Sequence, residues 1–394
     1  MKRKSIMTVL LLAVVLTACG SKEIKDEITD EVADVVSETE DDAHIVESSS
    51  VQDAVANEDT VADIVDKDTV DEDYIAAEDL SETEVLELYS TYMESEDYEN
   101  AGGILYRWLS WYDSDKVQEK LDYMKEHVHV SGYTGTTYDT NDNMMYMSTH
   151  LFNEVGDVVE EQYITSDDTI SSYSYQYIYD GDICTSQLCN DENGNVIFHW
   201  EAVYDKDGNI TEETTTSDNG IVTDKIYHTY ESGLCIEERE EYKSTYDGEH
   251  GQVVKLEYDE AGRIIRESYY DEDDVLFESV DYTYNENGLN DTVKYYSYDE
   301  GIDDSEPYLT YTYEFTDDGR VEKQSIVEGE HNEYTQYFYD KFGDNTAQKF
   351  YQHDELIMST EYKYDFLGNI IIESIETGDS GNTTVYSHTY AFRE

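Results

Sequence analysis

Tyrosines and carboxylates are the side chains that recur often enough in this 394-residue chain to do chemistry: 39 Tyr, and 94 Asp and Glu against 24 Lys and Arg. Six of the tyrosines, Tyr311, Tyr313, Tyr337, Tyr339, Tyr362 and Tyr364, come as Tyr-x-Tyr pairs in register. Rings spaced by two share one face of a strand. They would form a rigid aromatic surface of the kind that stacks on sugars or anchors a protein partner. Carboxylates this numerous fall at glycosidase separation by accident, so no pair stands out as acid and base without a cleft to gather it. The phosphate loop GxxxxGK, the zincin HExxH and the nucleophile elbow GxSxG do not occur. No catalytic residue and no cofactor is expected.

Metal sites are not expected either. His127 and His129 could share a strand face, but a lone HxH has no third ligand. Asp139-Thr140-Asn141-Asp142-Asn143 begins like a calcium loop, yet Met144 stands where Gly must be and His150 where the bidentate Glu belongs. Acidic turns could hold calcium weakly through Asp and Asn oxygens. Cys184, Cys189 and Cys235 show neither CxxC nor neighbouring His spacing, which leaves them as small half-buried hydrophobes.

A net charge of -70 excludes nucleic acid and anionic lipid as electrostatic partners, and 38% hydrophobic residues do not make an integral membrane bundle. The N-terminus explains how such a chain could still meet a membrane. Lys2, Arg3 and Lys4 precede an apolar stretch from Ile6 to Leu16, too short to span a bilayer, so residues 1–18 read as a signal peptide. Leu16-Thr17-Ala18-Cys19 resembles the bacterial lipobox, which implies cleavage before Cys19 and diacylglycerol on its sulfur. Two or three acyl chains, palmitate among them, would anchor the chain durably to the bacterial cell membrane on its extracytoplasmic side. Residues 19–80 are rich in acidic runs with Tyr74 their only aromatic, and read as a disordered tether.

Beyond the tether, Ser81-Glu82-Thr83-Glu84 has the form of a capping box, and apolar residues at helical spacing continue over 81–128. Tyr92 to Ala101 is similar to one tetratricopeptide hairpin, but such solenoids need about three units; a small three-helix cap over the first edge of the repeat region is expected. Residues 129–394 then repeat. Aromatics at 152, 179, 204, 230, 258, 284, 315, 339 and 364 stand 24 to 31 residues apart, most followed by Asp or Asn and then Gly. Asp205-Lys206-Asp207-Gly208 suits a type I turn with a left-handed fourth residue, and alternating tyrosines before it with β-branched residues after it read as strands. The unit is a β-hairpin, and 16 to 18 strands in an antiparallel meander or spiral sheet would curl, coil or close.

Tyr204 to Ile210, Tyr258 to Ile264 and Tyr364 to Ile370 resemble the tyrosine-aspartate (YD) repeats of the Rhs and teneurin families, over roughly residues 150 to 392. The resemblance implies a spiralling β-shell; the longer spacing, the few copies and the lack of a cargo domain after the last depart from a toxin. The repeats also look like the aromatic-Gly hairpins of choline- and glucan-binding modules, whose tryptophans are missing here apart from Trp108, Trp111 and Trp200. The expected function is a lipid-anchored binding or structural module at the cell surface, not an enzyme, taking a glycan or a basic protein. A carbohydrate-active or other degradative envelope enzyme is the other class, and a deep cleft with converging carboxylates would mark it. Cys19→Ala should abolish acylation and move the exported chain from the membrane fraction to the medium or periplasm. Metabolic labelling with a fatty-acid analogue reads this directly, and a wild-type chain that takes up no label has no such anchor.

Overall fold

The computed structural model describes residues 77–393 except 168, 182, 245–247, 299–304, 330 and 379. Cys19, the signal peptide and nearly all of the expected tether lie outside the described residues. The described residues open with a 3-10 turn, Ala77–Asp79, followed by α1 (Glu82–Glu94), α2 (Tyr98–Trp111) and α3 (Asp115–His127). The capping box forms: Ser81 N donates to Glu84 Oε2 at 2.8 Å while Glu84 N donates back to Ser81 Oγ.

Among the described residues twenty strands come next, from Val128–Asp139 to Ser380–Phe392, each antiparallel to its successor. The first also pairs with the last, through partners such as Tyr133↔His388 and Thr137↔Thr384. The expected meander or spiral of 16 to 18 strands is therefore a closed barrel. Closure removes both edges, whose unpaired N–H and C=O groups would otherwise invite another chain. The strands read from the repeats begin with the one that ends at Phe152 and stop at Ile370–Thr377, so the count runs short by the last strand and the first, which joins the second through a turn without the repeat signature. Asp139 closes the turn between them, its Oδ1 accepting from Asn141 N and Asn143 N.

Each repeat turn follows one design. Asp205 Oδ1 accepts from Asp207 N at 2.8 Å and Asn209 N at 3.0 Å, and Gly208 N donates to Asp205 O. Gly208 has φ 86° and Gly262 φ 77°, a region that side chains with a Cβ resist; the turn glycines at 288, 319, 343 and 368 share it. Register then slips by one: Tyr204 faces Ile210 but Val203 faces Glu212, leaving Thr211 as a bulge.

The repeat tyrosine secures the bulge of the preceding hairpin. Tyr204 donates to Cys184 O (2.8 Å), Tyr258 to Cys235 O (2.6 Å), Tyr284 to Ile264 O (2.6 Å), Tyr339 to Val321 O (2.8 Å) and Tyr364 to Asn345 O (2.7 Å). In every case the acceptor is the residue just before the bulged one. The residue after the turn glycine joins in: Arg263 donates to Asp259 Oδ2 at 2.8 Å and lies 4.4 Å over the ring of Tyr284.

The helices do not cover a sheet edge, since closure leaves none among the described strands. They sit on the turn end of the barrel, where Phe366 enters a core of Val85, Ala101, Ile104, Leu105, Leu121 and Met124. A Cβ at Gly102 would lie 2.3 Å from the Phe366 ring, so only glycine lets α2 approach. Tyr106 stacks on Phe342 with centroids 4.5 Å apart and donates to Asp344 at 2.8 Å. Gly262→Val should lower the unfolding free energy by about 1–3 kcal/mol through backbone strain. Tyr258→Phe, which removes one hydrogen bond, should lower it by about 1 kcal/mol. Equilibrium urea unfolding checks both, and a neutral Tyr258→Phe would show that the clamp contributes nothing.

Candidate functional site: an anionic tyrosine face

Period-2 geometry puts the six tyrosines of the expected ligand face on one side of the sheet, all half-buried. They do not serve alike. Tyr339 and Tyr364 are clamp residues whose hydroxyls are taken up by backbone carbonyls. Tyr337 donates to Gln324 Oε1 and Gln324 Nε2 donates to Tyr313, both at 3.2 Å. Tyr311 packs edge-on against Tyr295 at 5.9 Å.

Charge separates the two faces of the sheet. Following the register from strand to strand, the tyrosine face carries Glu161, Glu213, Asp224, Glu240, Glu267, Glu278 and Glu373. Every Lys and Arg of the described strands lies on the opposite face, Lys225, Arg239, Lys255, Arg266, Lys294, Lys323 and Lys349 among them. There the cations meet carboxylates: Lys225 reaches Glu212 at 3.0 Å and Lys323 reaches Glu314 at 3.2 Å. Arg263 and Arg320 stand at the rim, in turns.

In a closed sheet, side chains converge on the concave face and lose water. Burial raises the hydroxyls of Tyr133, Tyr269, Tyr337 and Tyr362, pushes Tyr295 and Tyr386 up to about 12, and raises the carboxyls of Asp224, Glu240 and Glu373. Tyrosines of this face are half-buried where their neighbours on the opposite face, such as Gln176, Thr312, Phe338 and Glu361, are exposed, which makes the tyrosine face the inner face of the barrel. Several of its carboxylates are held by neighbours: Tyr175 donates to Glu161 at 2.9 Å, and Tyr308 to Glu278 at 2.8 Å. The hydrogen bond from His150 is the chief cause that lowers Glu161. A shallow hollow of about 550 Å³ opens beside Cys184, Gln187, Phe198, Trp200 and Thr215.

The remaining candidates are scattered. His127 ends α3 and bonds to Tyr123 O, while His129 lies in the first strand, its imidazole lowered by burial and the nearby Arg393. Asp139 spends its carboxylate on its own turn, whose Asn143 side chain holds it below its ordinary range. Cys184, Cys189 and Cys235 are free thiols. Linear spacing missed one association: register across the hairpin brings Cys235 next to His228 and Glu238. The signal was present as His228 and Cys235 flanking a Ser232-Gly233 turn, whose two strands must run side by side.

No family model matches the chain, and no curated protein matches it. Among solved structures it is similar to the Tc holotoxin pore of Photorhabdus luminescens, at 10% identity and TM-score 0.28, covering 60% of this chain and 17% of that one. It is also similar to a porin-like protein from Bacteroides uniformis, at 10% identity and TM-score 0.30 over 66% of this chain and 96% of that one. A β-barrel-like protein from Brucella abortus aligns over 68% of this chain at 12% identity and TM-score 0.18. The chain spans about a fifth of the toxin chains it matches. At these scores the likenesses place the chain in no family.

Proposed function

We propose that this chain is an extracytoplasmic lipoprotein, anchored through Cys19, whose barrel is a binding module for a cationic partner such as a basic protein segment. The observation that carries the reading is the segregation of charge: an inner face of tyrosines and carboxylates with no strand Lys or Arg among the described residues. An unbalanced anionic surface with restricted solvent attracts cations more strongly than the same charges spread in water. Tyrosine rings beside it add cation–π contacts, and repetition around the ring gives avidity from weak contacts. A neutral glycan would use the rings and leave the carboxylates idle.

A fluorescent oligolysine peptide titrated into the full chain should bind, and the affinity should fall steeply between low salt and about 1 M, where the screening length shrinks to about 3 Å. Glu240→Gln combined with Glu373→Gln, both inner-face, should weaken binding by about fivefold, on the order of 1 kcal/mol. The same charge change on the outer face, Glu241→Gln with Glu361→Gln, should leave it within twofold. Because burial raises Glu240 and Glu373, these groups take up protons at a higher pH than ordinary carboxyls, so affinity should start to fall above the usual carboxylate range as pH drops. Equal losses from the two pairs of variants would reduce the effect to net charge and remove the inner face from the reading.

A further inference from the structure

The strands Val222–Glu231 and Leu234–Ser244 pair so that His228 faces Glu238, while Cys235 faces Tyr230 two positions nearer the turn. All three side chains are on the inner face. One donor atom from each, an imidazole nitrogen, the thiol sulfur and a carboxylate oxygen, lies within 4.8 Å of the other two. His228 Nδ1 stands 3.4 Å from Glu238 Oε1, and Cys235 Sγ stands 4.0 Å from the same oxygen.

The far side of the imidazole is what separates this cluster from a chance meeting. His228 Nε2 is 2.9 Å from Glu213 Oε1, and the other oxygen of Glu213 accepts from Trp200 Nε1 at 3.0 Å. Trp200 can only donate, so it fixes the carboxylate, and the carboxylate accepts from the Nε2–H of His228. With its proton held on Nε2 by Glu213, the ring directs Nδ1 toward Glu238 and Cys235, where its lone pair would be the donor to a metal. A carboxylate on the second nitrogen of a ligating histidine is the arrangement by which metal sites orient the ring and raise its basicity. Cys235 is held too, since its carbonyl is the one clamped by Tyr258 at 2.6 Å.

We propose that His228 Nδ1, Cys235 Sγ and Glu238 bind one zinc-class divalent cation, with Glu213 as the positioning residue and the fourth coordination position left for water or a ligand. Sulfur and imidazole donors select a borderline transition metal over calcium or magnesium, which take oxygen. Three protein ligands are the number that leaves a zinc site open. Binding would release the thiol proton to solvent as the thiolate joins the metal. The proposal stands apart from the cationic-partner reading: it needs four neighbouring side chains, not the charge of the whole face.

The test uses the full chain in a Cys19→Ala background, where Cys184, Cys189 and Cys235 are the remaining thiols. Cobalt(II) alone serves as the probe, because a thiolate-to-cobalt charge-transfer band in the near ultraviolet reports sulfur ligation that loose binding to 94 carboxylates cannot mimic. One equivalent should produce the band with tetrahedral visible absorption, and one equivalent of zinc should bleach both. Cys235→Ser should lose the charge-transfer band, and Cys184→Ser should keep it. Glu213→Gln should keep the band but weaken cobalt binding by about 10- to 100-fold, which a purely structural glutamate would not do with circular dichroism unchanged. No band on the parent chain, or an unaltered band in Cys235→Ser, overturns the site.

Discussion

A tyrosine hydroxyl donating to a carbonyl that its own strand ladder cannot use is the interaction on which this barrel depends. Each repeat turn ends in a bulge, and a bulge leaves backbone polar groups out of register. A buried carbonyl without a partner costs on the order of 1–3 kcal/mol. The next repeat supplies the missing donor from Tyr204, Tyr258, Tyr284, Tyr339 or Tyr364. The threonine at the bulge covers the other side where it occurs, as Thr211 does by donating to Val203 O. Hairpins are thus coupled to their neighbours at the same height along the barrel, which keeps all the repeat turns at one end. That shared level gives the helices a surface to rest on.

The same residue type explains how a chain of net charge -70 folds around an acidic interior. Carboxylates on the inner face would repel one another if left bare. Tyrosine supplies both an apolar ring to pack and a hydroxyl to share a carboxylate's charge, as Tyr175 does for Glu161 and Tyr308 for Glu278. Lysine or arginine could do the second task but would neutralise the face. Within the described barrel both are kept to the outer face and the turns, where exposed ion pairs add little stability and maintain solubility.

Much of this architecture was legible in the residues, and the rest was hidden for identifiable reasons. Hairpins, turn glycines and the shared face of Tyr311 to Tyr364 follow from period-2 alternation and the Asp-x-x-Gly turn, because those are local constraints. That the sheet closes, where curling and coiling were equally open, was not legible, because Val128–Asp139 carries no repeat signature and its pairing with Ser380–Phe392 is non-local. The docking of the helices had a visible trace. Phe342 and Phe366 occupy turn positions where Asp207 and Glu260 stand in other copies, and a large ring in an otherwise polar turn asks for a partner. The double duty of the tyrosines could not be read, since a ring that packs, a hydroxyl that clamps and a face that binds share one pattern. His228, Cys235 and Glu238 came together only through hairpin register, which linear spacing does not display.

Closure through the first and last strands also shapes how the barrel is assembled. Nearly every other contact joins neighbours in sequence, so hairpins can form and dock in order as local events. The seam is different: Thr137 meets Thr384 across 247 residues, and Thr389 meets the Gly132 carbonyl across 257. Ordering that span against a single free strand carries a loop entropy no hairpin faces, although the cost grows only slowly with length once the intervening sheet has curled. Until the last strand arrives, the curled sheet has two open edges and is exposed to pairing with another copy of itself. The ring is therefore built by neighbours and completed by strangers, and its slowest and most vulnerable moment falls at the final strand.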